Sequence, residues 1–348
     1  MSVNSEQAVV GFGEHIATEL IRVCQDPAEL TSGWWAVMQT FEGEFYGFEF
    51  ARPTSSLADL LPTPYVTAAS ARRELWTSNI SQRAYENGVE EVRRAIERGW
   101  VYQTNYCRIL KQAIEPNFDF VELYRKLLSG NPAPHATLFH LPRNVTSLSR
   151  DIKIASASPE LFLSRQGRLL KSSPIKGTAT SAKDMLDKDS AENVMIVDLI
   201  RNDLSHVCKP GTVLVPDMLR LEEHPGLVHL VSDVTGELHD GFDWQQILQA
   251  MCPAGSVSGA PKSSSLQLIS QVEPEKREVY CGVLGWIDVD ENTAELAVAI
   301  RTFWQSLSAA EPTICFGTGA GITYDSDPAG EWFETELKAN HLLGIASS

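Results

Sequence analysis

The 348-residue chain lacks several features that mark whole classes of protein. It has no run of about 18 apolar residues, so no transmembrane helix is expected. Its start, MSVNSEQAVVGFGEHIATEL, has neither the basic region nor the long apolar core of a signal peptide. No internal repeat and no low-complexity tract is visible. The sequence therefore predicts a cytoplasmic protein.

Paired cysteines are also missing. None of the six cysteines belongs to a Cys-x-x-Cys pair, so neither a zinc site nor a disulfide framework is expected. They are small hydrophobic residues suited to burial. The six are Cys24, Cys107, Cys208, Cys252, Cys281 and Cys315.

Basic residues are scarce relative to acidic ones. The chain has 29 Lys and Arg against 45 Asp and Glu, which gives a formal net charge of −16. Such a charge argues against nucleic acid and anionic membranes as partners. A small anionic substrate remains compatible with it, provided that local cations, backbone N–H groups or a metal make its site positive.

Residues 155–178 predict a β-hairpin with a chemical group at each end. Segments rich in β-forming residues flank a Gln-Gly turn signal at 166–167. Glu160 precedes the hairpin and Lys176 follows it, so the turn returns a carboxyl and an amine to the same place. The two groups either share a cavity, as an acid and a nucleophile, or form a surface ion pair. The Gly-Thr pair at 177–178 suits close approach to a bound anion.

Hydrophobic periodicity and turn signals predict mixed helices and strands elsewhere. Helices are predicted at 78–99 (capped by Ser78), 119–128, 189–204 (capped by Asp189 or Ser190), 243–251, 261–272 and about 329–343. Strands are predicted at 34–50 (two strands around Glu42-Gly43), 101–110, 136–141, 213–215, 219–221, 228–238, 280–289, 294–304 and 312–316. The stretch 51–70, with its three prolines, predicts a loop or linker.

Several polar residues allow two interpretations. Gln103 and Asn105 share one face of a predicted strand, which is either exposed or lines a pocket. His229 is either a core histidine or an active-site residue. Arg301 lies within an apolar predicted strand and needs a partner, for which a ligand carboxylate is one candidate.

Two further segments could bind ions. The glycine-rich loop at 253–262 opens into a helix and could bind an anion, although it lacks the Walker spacing. In the last predicted helix, Glu331, Glu334 and Lys338 fall on one face. They form either an exposed salt bridge or, with Glu192, a carboxylate set suited to Mg²⁺.

The order of these motifs resembles that of the chorismate-utilising enzymes. The segments are GWVYQTNY, SASPELFL, SPIKGT, KDSAENVMIVDLIRNDL, HPGLVHLVSDVTGEL, PAGSVSGAPK, YCGVLGW, AVAIRT and GTGAGITYDSD, which run over residues 99–341. Lys176 in PIKGT resembles the aminodeoxychorismate synthase component I branch, since anthranilate synthases typically carry Ala there. Isochorismate and salicylate synthases typically carry a water-activating Lys where this chain has Gln103.

The resemblance implies roles for individual residues. Glu160 is the implied general acid, and Lys176 is the nucleophile that attacks carbon 2 of chorismate. Substrate-binding residues are implied at Gly177, Thr178, His229, Ser256, Tyr280, Arg301, Gly319, Gly321 and Lys338. The implied Mg²⁺ ligands are Glu192, Glu331 and Glu334.

The resemblance also implies a fold and a partner. The fold is α+β, an αββα sandwich of two mostly antiparallel sheets with helices outside. Residues 1–78 are a shortened N-terminal segment that packs on a catalytic domain at 79–348. None of the cysteines has the setting of a glutaminase nucleophile, so ammonia is expected from a separate glutaminase subunit.

The resemblance departs from the family pattern at two places and leaves alternative functions. Only about 98 residues precede GWVYQTNY, and 15 residues separate Lys176 from Glu192, both fewer than usual. The alternatives are an anthranilate synthase or another chorismate-converting enzyme, and a non-catalytic paralogue that binds a glutaminase.

Overall fold

The computed structural model describes residues 7–13, 15–53, 55–56, 73–179, 187–224 and 227–347. In chain order the strands are β1 Val9–Phe12, β2 His15–Ala17, β3 Leu20–Cys24, β4 Trp34–Gln39, β5 Phe45–Phe50, β6 Ser55–Ser56, β7 Thr77–Ser78, β8 Gln103–Ala113, β9 His135–Leu141, β10 Ile152–Ser158, β11 Leu161–Gln166, β12 Leu169–Ser173, β13 Ile175–Ala179, β14 Leu214–His224, β15 Leu227–Glu237, β16 Gly259–Ala260, β17 Val283–Asp288, β18 Thr293–Val298, β19 Thr302–Gln305 and β20 Thr313–Ile322. The α-helices are α1 Gln82–Glu97, α2 Phe120–Gly130, α3 Arg143–Thr146, α4 Asp187–Ser205, α5 Trp244–Met251, α6 Gly255–Ser258, α7 Lys262–Val272 and α8 Pro328–Ala346.

The strands form two sheets whose pairings, as far as the chain is described, are antiparallel. The first sheet has the order β16-β8-β20-β19-β10-β9-β1-β2-β6, and β7 also pairs with β8. The second has the order β13-β15-β12-β11-β18-β17-β4-β5-β3, and β14 also pairs with β15. Strands from the first 78 residues belong to both sheets, since β1 pairs with β9 and β4 with β17.

Large apolar side chains fill the space between the two sheets. Phe48 of β5 contacts Phe139 of β9 across that space, with ring centroids 6.1 Å apart. Trp35 and Trp304 are buried in the same cluster. Burial of each such side chain stabilises the fold by about 1.5–3 kcal/mol, so the sheets are held together mainly by this core.

Helices cover the outer faces of both sheets. α2 and α8 pack on the first sheet through residues such as Leu123 and Leu342. α1 and α7 pack at its β8 end. On the second sheet, α4 packs against β15, and α5 lies beside α4. The αββα architecture implied by the resemblance is confirmed. No helix within the described ranges is both long and apolar enough to cross a membrane.

The chain passes between the sheets at two adjacent crossings. β10 continues through residues 159–160 into β11 of the second sheet, and β18 continues through 299–301 into β19 of the first. The crossings are bonded to each other, because the N–H of Val298 donates to the carbonyl of Glu160 over 3.1 Å. A second bond of 3.1 Å ends at the carbonyl of Arg301. Glu160 and Arg301 are therefore held close together at the junction of the sheets.

The predicted hairpin is confirmed, and one predicted cap is wrong. β11 and β12 pair around the turn that begins after Gln166. The first helix begins at Gln82, and Ser81 caps it by accepting from the N–H of Ala84 over 3.3 Å. Ser78 cannot serve as the cap, because it belongs to β7 and pairs with β8.

Arg301 does not lie inside a strand as predicted. The predicted strand at 294–304 is interrupted, since β18 ends at Val298 and β19 begins at Thr302. Arg301 itself has a φ of +51°. This left-handed conformation is uncommon for a residue other than glycine and does not occur in a regular strand. The interruption follows from the crossing, because the two halves belong to different sheets.

Other boundaries also differ from the prediction. The segment at 253–262 contains α6 and β16 in addition to loop, because Gly259 and Ala260 pair with β8. β20 continues through the glycines that were predicted to follow it. The two strands predicted at 213–215 and 219–221 form one irregular strand, β14.

Two predictions concern the edges of the described residues. α4 begins at Asp187, so neither Asp189 nor Ser190 is its cap. Of the loop predicted at 51–70, residues 54 and 57–70 lie outside the described residues.

Candidate active site

Glu160 lies at the crossing from the first sheet to the second, and its backbone is fixed there. Its N–H donates to the hydroxyl of Ser158 over 3.2 Å. That hydroxyl donates to the carbonyl of Val298, on the neighbouring crossing, over 2.6 Å. Glu160 is only 4% exposed. Its carboxyl is therefore held in the protein interior.

Burial raises the pKa of the Glu160 carboxyl to about 7. A hydrogen bond with the Ser256 side chain acts in the opposite direction, as do the charges of Lys176 and His135. Near neutral pH this carboxyl is therefore divided between its protonated and ionised forms. Such a group can give a proton to a leaving group and take one back.

Lys176 is the second residue of β13, which follows the hairpin. Its Nζ donates to the carbonyl of Ser256 over 3.2 Å. Burial lowers the pKa of Lys176, while the nearby carboxylates of Glu192 and Glu160 raise it. A lowered pKa increases the neutral fraction of an amine, and the neutral form is the nucleophile. Glu160 and Lys176 thus act on each other, and because Glu160 is buried they do not form an exposed ion pair.

Ser256 connects the two groups. Its side chain bonds to the Glu160 carboxyl, and its carbonyl accepts from the Nζ of Lys176. The same carbonyl accepts from the Nδ2 of Asn105 over 2.5 Å. Ser256 lies in α6, a single helical turn that precedes β16. The polar face of β8 that carries Asn105 therefore lines this site.

Gln103 lies on the same face of β8 and is 1% exposed. Neither its Oε1 nor its Nε2 has a hydrogen-bond partner within the described residues. A Cβ placed on Gly321 would come within 2.2 Å of that Nε2, so the amide lies directly against the Gly321 backbone. An unpaired buried amide costs about 1–3 kcal/mol. The amide can recover this free energy by binding a polar group in the site.

Arg301 supplies positive charge at the second crossing. Burial lowers the pKa of its guanidinium. No acidic side chain within the described residues forms an ion pair with it. Arg301 is half-buried. A partly desolvated guanidinium without a carboxylate partner is costly, and a ligand carboxylate could pair with it through two hydrogen bonds.

β20 lies beside β8 and has glycine at three alternate positions, Gly317, Gly319 and Gly321. The ring of Tyr280 lies over Gly317, where a Cβ would come within 2.0 Å of it. Lys338 of α8 donates from its Nζ to the carbonyl of Gly319 over 3.0 Å. The close packing of this strand therefore depends on the absence of side chains.

Gly177 and Thr178 continue β13 beyond Lys176, and only their backbone belongs to the described part of the chain. The backbone of Thr178 pairs with His229 of β15. His229 is buried, as a core residue would be, and it lies next to the predicted substrate-binding pair. Its role and those of Gly177 and Thr178 stay predictions.

The three carboxylates predicted to bind Mg²⁺ come from two helices, Glu192 from α4 and both Glu331 and Glu334 from α8. Glu192 and Glu334 each act on the charge of Lys176. Glu334 also pairs with Lys338 over 2.7 Å, so the salt bridge considered as an alternative is present. In the described part of the chain no three Asp, Glu, His or Cys side chains are gathered closely enough to hold a metal.

The donor chemistry nevertheless suits Mg²⁺. This ion prefers oxygen ligands, keeps several waters, and commonly uses one or two carboxylates together with oxygens of the substrate. Two carboxylates that approach Lys176 from separate helices meet that description. The Mg²⁺ site stays a prediction.

His135 is a contributor that the sequence did not indicate. Its positive form acts on Glu160, and its Nδ1 lies 2.7 Å from the Oε1 of Glu295. A single histidine after Asn-Pro-Ala-Pro has no spacing typical of a metal site or a catalytic triad. Only the pairing of β9 with β10, which sets Ser158 opposite His135, brings it to the crossing.

Comparison with known proteins identifies the family of this chain. A family model described as chorismate binding enzyme matches residues 18–344. Anthranilate synthase component 1 of Streptomyces coelicolor is 35% identical over 294 residues, which cover 81% of this chain and 55% of that protein. Aminodeoxychorismate synthase component 1 of Bacillus subtilis is 31% identical over 295 residues, which cover 80% of this chain and 60% of that protein. The chain thus spans little more than half the length of these relatives.

A solved structure shares the fold. The menaquinone-specific isochorismate synthase of Escherichia coli superposes with a TM-score of 0.76 at 17% identity, covering 98% of this chain and 88% of that one. At this identity the likeness concerns the fold alone.

Proposed function

The chain belongs to the family of chorismate binding enzymes, and we propose that it acts as an aminodeoxychorismate synthase component I. In this role it converts chorismate and ammonia into 4-amino-4-deoxychorismate, the precursor of p-aminobenzoate in folate biosynthesis. The observation that carries the proposal is the position of Lys176. A half-buried amine with a lowered pKa interacts with a protonatable carboxyl, and Ser256 contacts both.

The reaction proceeds through two displacements. Glu160 gives a proton to the 4-hydroxyl, the bond between carbon 4 and that oxygen breaks, and water leaves. In the same step the neutral amine of Lys176 forms a bond to carbon 2, and the two ring double bonds each move by one position. Ammonia then forms a bond to carbon 4, the two double bonds move back, and the bond between carbon 2 and Lys176 breaks. The proton lost by the new ammonium group returns the Glu160 carboxylate to its acid form. The two groups have oppositely shifted pKa values, as such acid and nucleophile pairs require.

Chorismate is a dianion and is held by the positive and N–H groups of the site. Arg301 pairs with one carboxylate, for which it has no competing acidic partner within the described residues. The other proposed binding groups are Gly177, Thr178, His229, Ser256, Tyr280, Gly319, Gly321 and Lys338. Bound Mg²⁺, held by Glu192, Glu331 and Glu334, would neutralise the ring carboxylate against the acidic protein.

Ammonia comes from a partner in this proposal. Both relatives described above are named component 1. Within the described residues all six cysteines are free thiols, and five of them are buried. We therefore infer a separate glutaminase subunit, which ammonium salts at high pH would replace in vitro.

Anthranilate synthase is the second candidate. It is favoured by the identity to the Streptomyces coelicolor protein, 35% against 31% for the Bacillus subtilis one. In that reaction ammonia adds at carbon 2, the position that Lys176 would attack. An amine at this position would compete with ammonia, which favours the first candidate.

Product analysis tests the proposal. The purified chain is incubated with chorismate, Mg²⁺ and ammonium at high pH, and the products are separated by chromatography. Lys176→Ala is compared with the control Lys171→Ala. Lys171 lies on the hairpin and pairs with Asp233 of β15. We expect 4-amino-4-deoxychorismate from the wild type and the control, and a loss of at least 100-fold in Lys176→Ala. Anthranilate or isochorismate as the main product would reject the assignment.

A further inference from the structure

A buried arginine contacts the backbone of two residues beside the site. Arg277 follows α7 and is 1% exposed. Its Nη1 donates to the carbonyl of Val257 over 2.8 Å. Its Nη2 donates to the carbonyl of Asn105 over 2.9 Å. A single guanidinium thus joins α6 to β8.

These two carbonyls flank the contacts made to Lys176. Val257 directly follows Ser256, whose carbonyl accepts from Lys176 and whose side chain bonds to Glu160. Asn105 donates from its own Nδ2 to the same Ser256 carbonyl over 2.5 Å. Movement of either carbonyl would therefore displace the acceptor that holds the amine.

Glu273 holds the guanidinium in its orientation. Its Oε2 accepts from the Nε of Arg277 over 2.8 Å, and its Oε1 accepts from Nη2 over 2.6 Å. The same Oε1 accepts from the N–H of Cys107 in β8 over 2.9 Å. The ring of Phe41 lies 4.2 Å from the guanidinium carbon. These contacts hold the guanidinium of Arg277 and the carboxylate of Glu273 in one orientation.

We propose that Arg277, oriented by Glu273, is a positioning residue that sets the geometry of Ser256 relative to Lys176 and Glu160. The inference rests on the proposed function for its kinetic consequence, but its structural content stands on the contacts alone. Lysine cannot replace arginine here. The planar guanidinium donates four hydrogen bonds from its three nitrogens, and an ammonium group cannot reproduce their directions. A displacement of about 1 Å at a reacting group can lower a rate about 100-fold.

Arg277→Lys tests the inference, since it keeps the charge and loses the planar arrangement. We expect kcat for ammonia-dependent turnover of chorismate to fall at least tenfold. The KM for chorismate should stay within threefold, because Arg277 touches no group proposed to bind the carboxylates. Equal kcat in the variant and the wild type would overturn the inference.

Glu273→Gln and Glu275→Gln form a matched pair of variants. Both carboxylates follow α7 and bond to β8, Glu273 to the Cys107 N–H and Glu275 to Lys111 over 2.6 Å. Only Glu273 contacts Arg277. We expect Glu273→Gln to reproduce the loss of kcat, while Glu275→Gln keeps wild-type kcat. Equal losses in both would show a general structural effect and reject the specific role.

Hydrogen exchange measured by mass spectrometry gives a readout that needs no turnover. In Arg277→Lys we expect peptides covering 254–260 to exchange at least tenfold faster, while peptides covering β17 and β18 keep their rates. Unchanged exchange at 254–260 rejects the inference even if the proposed reaction is found. Faster exchange there, in a protein that makes a different product, would keep the positioning role and reject only the proposed reaction.

A double variant covers the case in which single variants fail to fold. Glu273→Leu with Arg277→Met removes both buried charges, a change that is often tolerated when one charge alone is not. If this protein folds with the wild-type exchange pattern at 254–260 and the wild-type kcat, the inference is wrong.

Discussion

Lys176 donates from its Nζ to the backbone carbonyl of Ser256 over 3.2 Å. Because the side chain of the same serine bonds to Glu160, the amine and the acid are positioned by one residue. A substrate that reacts with both must therefore present its leaving oxygen and its attacked carbon at a spacing fixed by the single turn of α6. In the proposed reaction, this relationship favours one geometry of ring substitution.

Glu160→Gln should remove the acid while keeping the shape of the side chain. We expect kcat to fall about 100-fold to 10,000-fold, the usual range for loss of a general acid, with little change in the KM for chorismate. Steady-state kinetics at saturating ammonia measure this. Glu311→Gln, at an exposed position before β20, should keep wild-type kcat. A Glu160→Gln protein with more than a tenth of the wild-type kcat would show that another group supplies the proton.

The raised pKa of Glu160 also predicts a dependence of stability on pH. Its carboxyl titrates at about 7 in the folded state, against an ordinary value of 4.5. The neutral form is thus favoured by folding, so its contribution is complete below about pH 4.5, declines as the pH rises to about 7, and is constant above. The shift corresponds to at most about 3 kcal/mol.

Urea unfolding of wild type and Glu160→Gln at several pH values measures this contribution. Groups that do not interact with Glu160 titrate alike in both proteins and cancel in the difference. The variant should gain stability relative to the wild type between about pH 4.5 and 7. A difference that is flat across this interval would mean that Glu160 titrates normally in the folded protein.

The sequence predicted the local pairing that builds the site. The hairpin follows from β-forming residues on both sides of a turn signal, so the proximity of Glu160 and Lys176 was a consequence of short-range structure. The common face of Gln103 and Asn105 likewise follows from strand alternation. Patterns of this kind depend only on neighbours in the chain.

The contacts that complete the site depend on residues far apart in sequence. The strand is interrupted before Arg301 because Val298 forms a hydrogen bond to Glu160, a residue far away in the sequence. The hydrophobic periodicity of residues 294–304 therefore does not predict the interruption. Arg277 shows the same limit. Its partner Glu273 is visible as an i,i+4 pair, but the carbonyls that it binds belong to Val257 and Asn105.

Arg301→Gln should weaken substrate binding more than it slows turnover. We expect the KM for chorismate to rise at least tenfold, because a charge-assisted pair with a carboxylate contributes about 1.5–3 kcal/mol. The thermal midpoint should not fall, since a half-buried charge without an acidic partner within the described residues is removed. Kinetics and thermal unfolding are compared with Arg52→Gln, which removes an exposed guanidinium that pairs with Asp288. An unchanged KM would place the carboxylates elsewhere.

Gly321→Ala should displace the amide of Gln103, because the added Cβ would lie 2.2 Å from its Nε2. The amide is the end of a flexible side chain, but Gln103 is only 1% exposed and has little room to move, so overpacking of this kind costs up to about 1–3 kcal/mol. We expect a loss of stability of that size and a fall in activity. Both effects follow from the contact between the added Cβ and the Gln103 amide.

A double variant that combines Gly321→Ala with Gln103→Ala tests whether the contact with the amide causes these losses. Removal of the amide opens space for the new Cβ, so the double variant should recover the stability lost by Gly321→Ala, with a coupling of about 1–3 kcal/mol in a double-mutant cycle. Activity should not recover, because the unpaired amide is one of the groups available to a ligand in the site. Additive losses of stability would show that the two positions do not contact each other, whereas recovery of both stability and activity would show that Gln103 has no role beyond packing.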